Sequence, residues 1–529
     1  PMQRLLLITA YEALEMAGYA KNRTPATCHS RASSFMGQTS DDWREVNASQ
    51  NIENFYITGG IRAFGPGRLN YHFGWEDASY SLDTACSSSS AAIQLACSAL
   101  RARECDTSLA GGANVMTASS IFAGLSRGGF LSPTGSCKTY DEGADGYCRA
   151  DAVGIVVLKR LEDAILDRDN IQAVIKGVAT NHSAEAISIT HPHAETQQRL
   201  FKRTLQDACL SHESVDYVEM HGTGTQAGDT IESTSVAKVF GPGRTLDNPL
   251  YFGTVKPNIG HGEAASGVTS VIKAVMMFSK NTIPPHIGVK RKMNPKLLDF
   301  NAIGMKLADR NVPFKPNPRG DGKRRIMVNN FDATGGNTSI ILEDPPKLSA
   351  VGEDPRGSYV ITVSAKTRNA LWENTRRLVE FLKMNPQAKL SHLSYTTTAR
   401  REHHSFRRSH VATSVSDLQA SLERNLEAQH ERSIKPKSVV FVFTGQASQY
   451  AAMGSQLFKT SGFFRSQLLA LETTCISLNL PSFLELLTNP NVDTKLCDPV
   501  QSQLALAALE VSLAKLWCSW GVKPDLVIG

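Results

Sequence analysis

From residue 1 to about 345, short apolar runs of strand length alternate with helical patterns of period 3.6 and glycine-rich turns. Strands are predicted at 79–82, 108–110, 217–220 and 251–255, and helices at 91–102 and 267–278. Strands alternating with helices predict an α/β fold. The pattern breaks after Leu342-Glu343-Asp344-Pro345-Pro346, and 347–358 is rich in Pro, Gly and charge, so it reads as a connector. A smaller unit follows, with a strand at 359–363 and helices at 366–383 and 390–399. A third begins with the buried-strand run 438–443 and the turn Thr444-Gly445-Gln446. The chain opens inside an amphipathic helical pattern at Pro1-Met2-Gln3-Arg4-Leu5 and closes straight after a strand, at Val527-Ile528-Gly529. Both ends suggest a fragment.

Composition narrows this reading. Hydrophobic residues make up 41% and charged residues 20%, which supports sizeable cores and excludes global disorder. The 56 Lys+Arg exceed the 50 Asp+Glu by six, too dilute over 529 residues for a nucleic-acid binder. No apolar run is long enough to span a bilayer, and no secretory signal is visible. Ten cysteines without a CxxC pair argue against a zinc ribbon or thioredoxin motif and fit a reducing, cytoplasmic location. Arg400, Arg401, Arg407 and Arg408, with His403, His404 and His410, read as a solvated, partly paired face.

Four segments carry candidate chemistry. In Asp83-Thr84-Ala85-Cys86-Ser87-Ser88-Ser89-Ser90 a strand runs into Cys86 and an alanine-rich helix leaves it. Helix N-terminal N–H groups at such an elbow stabilise a thiolate, lower its pKa and hold an oxyanion. The pattern fits a reactive thiol and a buried structural one alike. In Glu219-Met220-His221-Gly222-Thr223-Gly224-Thr225 a strand ends at His221, with Gly228-Asp229 close behind. Lys256-Pro257-Asn258-Ile259-Gly260-His261-Gly262 also follows a strand. Sites in open α/β sheets collect in loops at the carboxyl ends of strands. One cysteine and two histidines there can share the roles of nucleophile, base and oxyanion donor. The fourth segment, Asn329-Asn330-Phe331-Asp332-Ala333-Thr334-Gly335-Gly336-Asn337, is an oxyanion loop or a plain hairpin.

Other features are set aside. Gly65-Pro66-Gly67-Arg68 lacks the Lys-Ser/Thr of a phosphate loop. His182, His191 and His193 lack a metal-ligand spacing, so no metal site is expected. Asp141, Glu142 and Asp145 sit in a turn-rich stretch and read as turn formers.

Together, DTACSSS, EMHGTGT and KPNIGH, in that order, resemble a β-ketoacyl synthase over residues 1–345. The segments ITGGIRAFGPGRLNYHF, TNHSAEAISIT, DGYCRAD and NNF…GGNTS further resemble fungal non-reducing, iterative type I polyketide synthases. Reducing synthases and fatty acid synthases usually carry Phe-Gly-Phe-Gly-Gly in the last loop, whereas Ala333 occupies the second aromatic position here. Residues 346–437 resemble the ketosynthase–acyltransferase linker. From 438 on, FVFTGQASQYAAMG resembles the opening of a malonyl-CoA acyltransferase, so 438–529 is expected to stop short of that family's nucleophile. The resemblance also implies that the first strands of the ketosynthase precede Pro1.

The implied fold is α/β: a thiolase-like ketosynthase, a small α/β linker and a partial α/β acyltransferase. The implied roles are an acyl chain on Cys86, with His221 and His261 assisting decarboxylation of a malonyl unit. Lys256 orders the histidines, and the loop of Gly335 and Asn337 supports the oxyanion. Thr223 and Thr225 fit pantetheine binding and turn capping alike. Gln446 contributes to the acyltransferase oxyanion hole. No cofactor is expected on the chain itself, since 4′-phosphopantetheine rides on an acyl carrier partner. Malonyl-CoA and acyl thioesters are the implied substrates, and a homodimer the implied assembly. A reducing synthase, a fatty acid synthase and an inactive truncated remnant are the rival readings.

Overall fold

The computed structural model describes residues 1–50, 52–316, 321–347, 352, 354, 356–427, 438–445, 448–493 and 497–529. The chain divides into two compact units, Pro1–Ala350 with Ala399–Glu402, and Val351–Thr398 with His403–Gly529.

In the first unit, β1 (Ala32–Gln38), β2 (Ser79–Leu82), β3 (Thr107–Asn114) and β4 (Ala152–Lys159) form a sheet of order β2-β1-β3-β4. A second sheet contains β5 (Val174–His182), β6 (Tyr217–Glu219) and β7 (Leu250–Gly253). A short ribbon pairs β8 (Thr282–Ile283) with β10 (Val312–Pro313), on either side of β9 (Met305–Leu307) in the chain. With β9, β11 (Arg325–Phe331) and β12 (Gly336–Glu343), the second sheet has the order β5-β12-β11-β6-β7-β9. The central pairings β1–β2, β1–β3, β6–β11 and β6–β7 are parallel, so the strands approaching the site share their carboxyl ends.

Helices fill three layers around these sheets. Here α1 is Met2–Ala17, α2 Phe64–Phe73, α3 Ser88–Arg101, α4 Ala194–Asp207, α5 Gln226–Phe240, α6 Lys256–Ile259 and α7 Ser266–Lys280. The outer layers are α1 with α2 on the first sheet and α4 with α5 on the second. Between the sheets lie α3 and α7, whose Ile93, Ala96, Leu100, Val268 and Val271 share one core with Ile326, Val328 and Ile340. A helix sandwiched between two sheets needs short side chains, and α3 opens Ser88-Ser89-Ser90-Ala91-Ala92. A Cβ on Gly37 would meet the Ser88 carbonyl carbon at 2.6 Å, and one on Gly267 would meet Ser90 Oγ at 1.9 Å.

Several predicted boundaries move by a few residues, and two of the shifts have a clear local cause. The helix predicted from 91 starts at Ser88, because the Ser88 hydroxyl donates to the Ala85 carbonyl (2.6 Å) and Ser90 to Asn330 (2.9 Å). The strand predicted to 255 ends at Gly253, because the Val255 N–H is taken by Glu219 (2.7 Å).

The second unit holds two small cores. In one, β13 (Tyr359–Ala365) pairs antiparallel with β14 (Phe406–Ala412), and Ile361, Leu371, Leu382, Leu418 and Leu422 are buried together. In the other, Phe464, Leu468, Phe483, Leu486 and Ala505 are buried, and β15 (Val440–Val442) runs parallel to β16 (Leu526–Ile528). The basic cluster is only in part a solvated face. Arg400 is 8% exposed. It pairs with Asp169 and donates to the Ala17 carbonyl, so protein partners replace water around it. His410 is likewise buried, its Nδ1 2.9 Å from Ser421 Oγ. Among the described residues, no helix is long and apolar enough to cross a membrane.

Candidate active site

Cys86 stands where β2 has ended and α3 is about to begin. Ala85 takes a left-handed conformation (φ 49°), and Ser87 is the cap residue of α3. The expected elbow is present, but the expected low thiol pKa is not. Burial pushes the thiol up to about 12, Glu263 and Asp332 push in the same direction, and Lys256 opposes them. Desolvation of a thiolate here outweighs the pull of the helix N-terminus. The cysteine rests as a thiol.

His221 follows β6. Its backbone N–H and that of Gly222 donate to the Glu232 carboxylate (2.8 and 2.9 Å), and the Gly224 N–H donates to Asp229 (3.1 Å). Both acids sit on α5, facing back at the loop, and burial raises each to about 7. Glu232 was not singled out from the sequence. Its signal is the spacing of three from Asp229 on one helix face, just after the His-Gly-Thr-Gly-Thr loop.

His261 is held by backbone. Its N–H donates to the Cys148 carbonyl (2.7 Å), and its own carbonyl accepts from Ala150 (3.0 Å). Beside this bridge, Arg149 and Glu263 form a buried ion pair (2.6 Å), with the guanidinium 4.5 Å from the centre of the Phe122 ring. The pair was invisible in the sequence, because its members lie 114 residues apart.

The two imidazoles have matching proton states. Burial, then the Lys256 charge, holds both far below the usual histidine range, so both are neutral. Nδ1 of His221 accepts the Phe331 N–H (3.3 Å), and Nδ1 of His261 accepts the Glu263 N–H (3.2 Å). Each ring therefore carries its proton on Nε2. The ring centroids lie 5.6 Å apart at 86°, and Nε2 of His261 is buried without a partner. Lys256, at the start of α6, is buried, and its ammonium donates to the His221 carbonyl (2.5 Å). Burial lowers its pKa, and the nearby Glu219 and Glu232 oppose this.

The remaining candidates divide. Gly335 has φ 95°, and a Cβ there would meet the His182 ring at 2.9 Å, so glycine is required. Its N–H turns inward to the Asp332 carbonyl (3.3 Å), and the Ala333 N–H is the one in this loop without an acceptor among the described residues. Asn337 is spent on its own surroundings, donating to Asn181, Ser183 and the Gly335 carbonyl at 3.0–3.2 Å. It supports the loop. Thr225 is the cap residue of α5 yet makes no cap hydrogen bond, and its hydroxyl faces that of Thr223 at 3.4 Å. Gln446 lies outside the described residues. The fold also brings together Glu185, His193 and Glu195, with ligand atoms within 4.8 Å of one another, which sequence spacing did not suggest. Arg199 already pairs with Glu185 there (3.1 Å).

Residues 1–164 match the model of the β-ketoacyl synthase N-terminal domain, and 172–290 match its C-terminal domain. The ketosynthase domain KS7 of the oxazolomycin synthase protein OzmH from Streptomyces albus superposes with TM-score 0.73 at 31% identity, over 84% of this chain and 77% of that one. The chain belongs to the β-ketoacyl synthase family. Its relatives include the non-reducing polyketide synthase crz7 of Cladonia metacorallifera, 54% identical over the whole of this chain and 25% of that protein. The conidial pigment polyketide synthase PfmaE of Pestalotiopsis fici is 51% identical, again over 25% of its length. The chain thus spans about a quarter of the curated relatives it matches. These place the ketosynthase with fungal non-reducing synthases rather than reducing or fatty acid synthases. The five-layer arrangement is the thiolase-like fold of this family. Residues 359–422 match a polyketide synthase C-terminal model (CurL-like), and 440–529 match the acyl transferase domain.

Proposed function

We propose that this ketosynthase performs decarboxylative Claisen condensation for an aromatic, non-reduced polyketide. Cys86 sulfur attacks a carrier-bound acyl thioester. The carrier C–S bond breaks, and the thiol proton leaves with the carrier sulfur. A malonyl thioester then loses CO2. The electron pair of the broken C–C bond becomes an enolate, whose oxygen accepts hydrogen bonds from Nε2–H of His221 and His261. The enolate carbon attacks the Cys86 thioester, the Cys86 C–S bond breaks, and the departing thiolate takes a proton from solvent to return the thiol.

The matched tautomers carry this reading. Two neutral rings, each with Nδ1 occupied and its proton on Nε2, can donate to an anion but cannot accept a proton from the thiol in that state. Lys256 orders the pair through the His221 carbonyl. The Cys86 N–H and the loop of Gly335, at Ala333, serve the tetrahedral oxyanion, and Asn337 fixes that loop. The uncapped hydroxyls of Thr223 and Thr225 suit the amide groups of the 4′-phosphopantetheine arm on an acyl carrier partner.

We assign residues 1–345 to the ketosynthase, 346–437 to the linker and 438–529 to the opening of a malonyl-CoA acyltransferase, in which Gln446 joins the oxyanion hole. A homodimer is proposed from the exposed edge strand β2, whose Tyr80 is 54% exposed. The ten free thiols suit the cytoplasm. The test uses the full chain with acyl- and malonyl-loaded carrier. Cys86→Ala should abolish condensation and spare decarboxylation, whereas His261→Ala should cripple decarboxylation. Chain extension by Cys86→Ala would overturn the reading.

A further inference from the structure

The Asp332 carboxylate lies beside the thiol and has no assigned role. One oxygen, Oδ2, accepts the hydroxyl of Ser87 (2.5 Å), the residue after Cys86. The other, Oδ1, accepts the N–H groups of Thr334 and Gly336 (both 2.9 Å) and the Thr334 hydroxyl (2.6 Å). The loop closes on itself, since the Asp332 N–H donates to the Gly336 carbonyl (2.9 Å). Every partner of the carboxylate is a neutral donor, and no cation pairs with it among the described residues. Just upstream, the Phe331 N–H holds His221. One side chain therefore ties the β11–β12 loop, and with it the Ala333 amide, to the first turn of α3.

We infer that Asp332 is a positioning residue that fastens the oxyanion loop to Ser87 and sets a negative charge beside the Cys86 sulfur. The inference rests on Cys86 being the acyl acceptor. Two consequences separate by chemistry. Alkylation of a thiol needs the thiolate but no oxyanion site. Acyl transfer from a thioester needs both. Removing the charge therefore speeds the first reaction, and untying the loop slows the second. The other groups that bear on the thiol are Glu263 from the segment before α7, Lys256 from α6 and Tyr147 before β4. All are unchanged in the variants below. Of these, Glu263 also raises the thiol pKa and Lys256 lowers it.

Asp332→Asn keeps an acceptor for the loop and removes the charge. Asp332→Ala removes both. In the full chain, iodoacetamide labelling of Cys86 is followed by peptide mass spectrometry from pH 7 to 10. Acyl loading of the same cysteine is followed with hexanoyl-N-acetylcysteamine. Both variants should label at least about twofold faster than the parent at pH 8, the direction a nearby like charge imposes on a thiolate. Loading should fall at least tenfold in Asp332→Ala and stay within about twofold of the parent or above it in Asp332→Asn, on the scale of a weakened oxyanion donor. Labelling profiles that superpose on the parent would overturn the charge role, and normal loading by Asp332→Ala would overturn the fastening. If the parent itself takes no acyl group at Cys86, the condensation reading fails instead, and labelling still decides the charge role.

Discussion

The ring of His221 meets that of His261 edge-on, 5.6 Å between centroids, and each has its Nδ1 taken by a backbone N–H, which leaves its proton on Nε2. Their pKa values lie far below the ordinary histidine range because protonation would add charge to a buried site beside Lys256. Malonyl decarboxylation by the Cys86→Ala chain is therefore expected to be flat between pH 6 and 8. A rate following a single ionisation near 6.5 would show that one ring titrates. Loss of either imidazole should slow the step about 100- to 1000-fold, the cost of one oxyanion donor.

Asp229 and Glu232 titrate in the opposite sense. Burial raises both to about 7, so the folded chain keeps protons that the unfolded chain releases above the ordinary carboxylate range. Their contribution to stability therefore falls as pH rises from about 4 to 7. The Asp229→Asn/Glu232→Gln variant should lose less stability than the parent between pH 5 and 7.5, by roughly 1–3 kcal/mol in urea titrations. Parallel pH profiles for the two proteins would mean that the carboxylates are ionised in the fold.

The Arg149–Glu263 pair is almost wholly buried, at 0% and 9% side-chain exposure. Arg149→Leu leaves a buried carboxylate alone, and Glu263→Leu leaves a buried guanidinium alone. Each should cost about 3–5 kcal/mol. The double variant should be more stable than the sum of the two losses predicts, because neither charge is then orphaned. Strict additivity in denaturation midpoints would contradict direct pairing.

Gly267 lets α7 approach α3. Gly267→Ala would place a methyl 1.9 Å from Ser90 Oγ and 2.3 Å from Asn330 Oδ1, so the hydrogen-bonded pair of side chains or the helix must shift. A loss of about 1–3 kcal/mol is expected. Trimming the neighbour in Ser90→Gly/Gly267→Ala should recover part of it. Equal thermal midpoints for the single variant and the parent would show that the interface yields freely.

The sequence shows the ends of strands far better than what surrounds them. Cys86, His221, Lys256 and His261 are legible because each stands in a polar, glycine-rich segment right after an apolar run. Their supports are not. Glu232 reaches its loop through a helix turn, and Arg149 reaches Glu263 across 114 residues. Asp332 acts through Ser87, 245 residues away. Such pairings follow from tertiary packing, which local patterns do not encode. The thiol pKa was misjudged for the same reason. The helix N-terminus is a local feature, but burial and the approach of Glu263 and Asp332 are not. Arg400 repeats the lesson, since the surface that dehydrates it lies in distant segments.

No single sheet owns the site. Cys86 leaves the sheet of β1–β4, whereas His221 and Lys256 leave the other, and α3 and α7 lie between the two. An assembly intermediate with just one sheet formed displays either a cysteine without proton donors or donors without a cysteine. The constellation therefore exists only where both sheets pack against the same pair of helices.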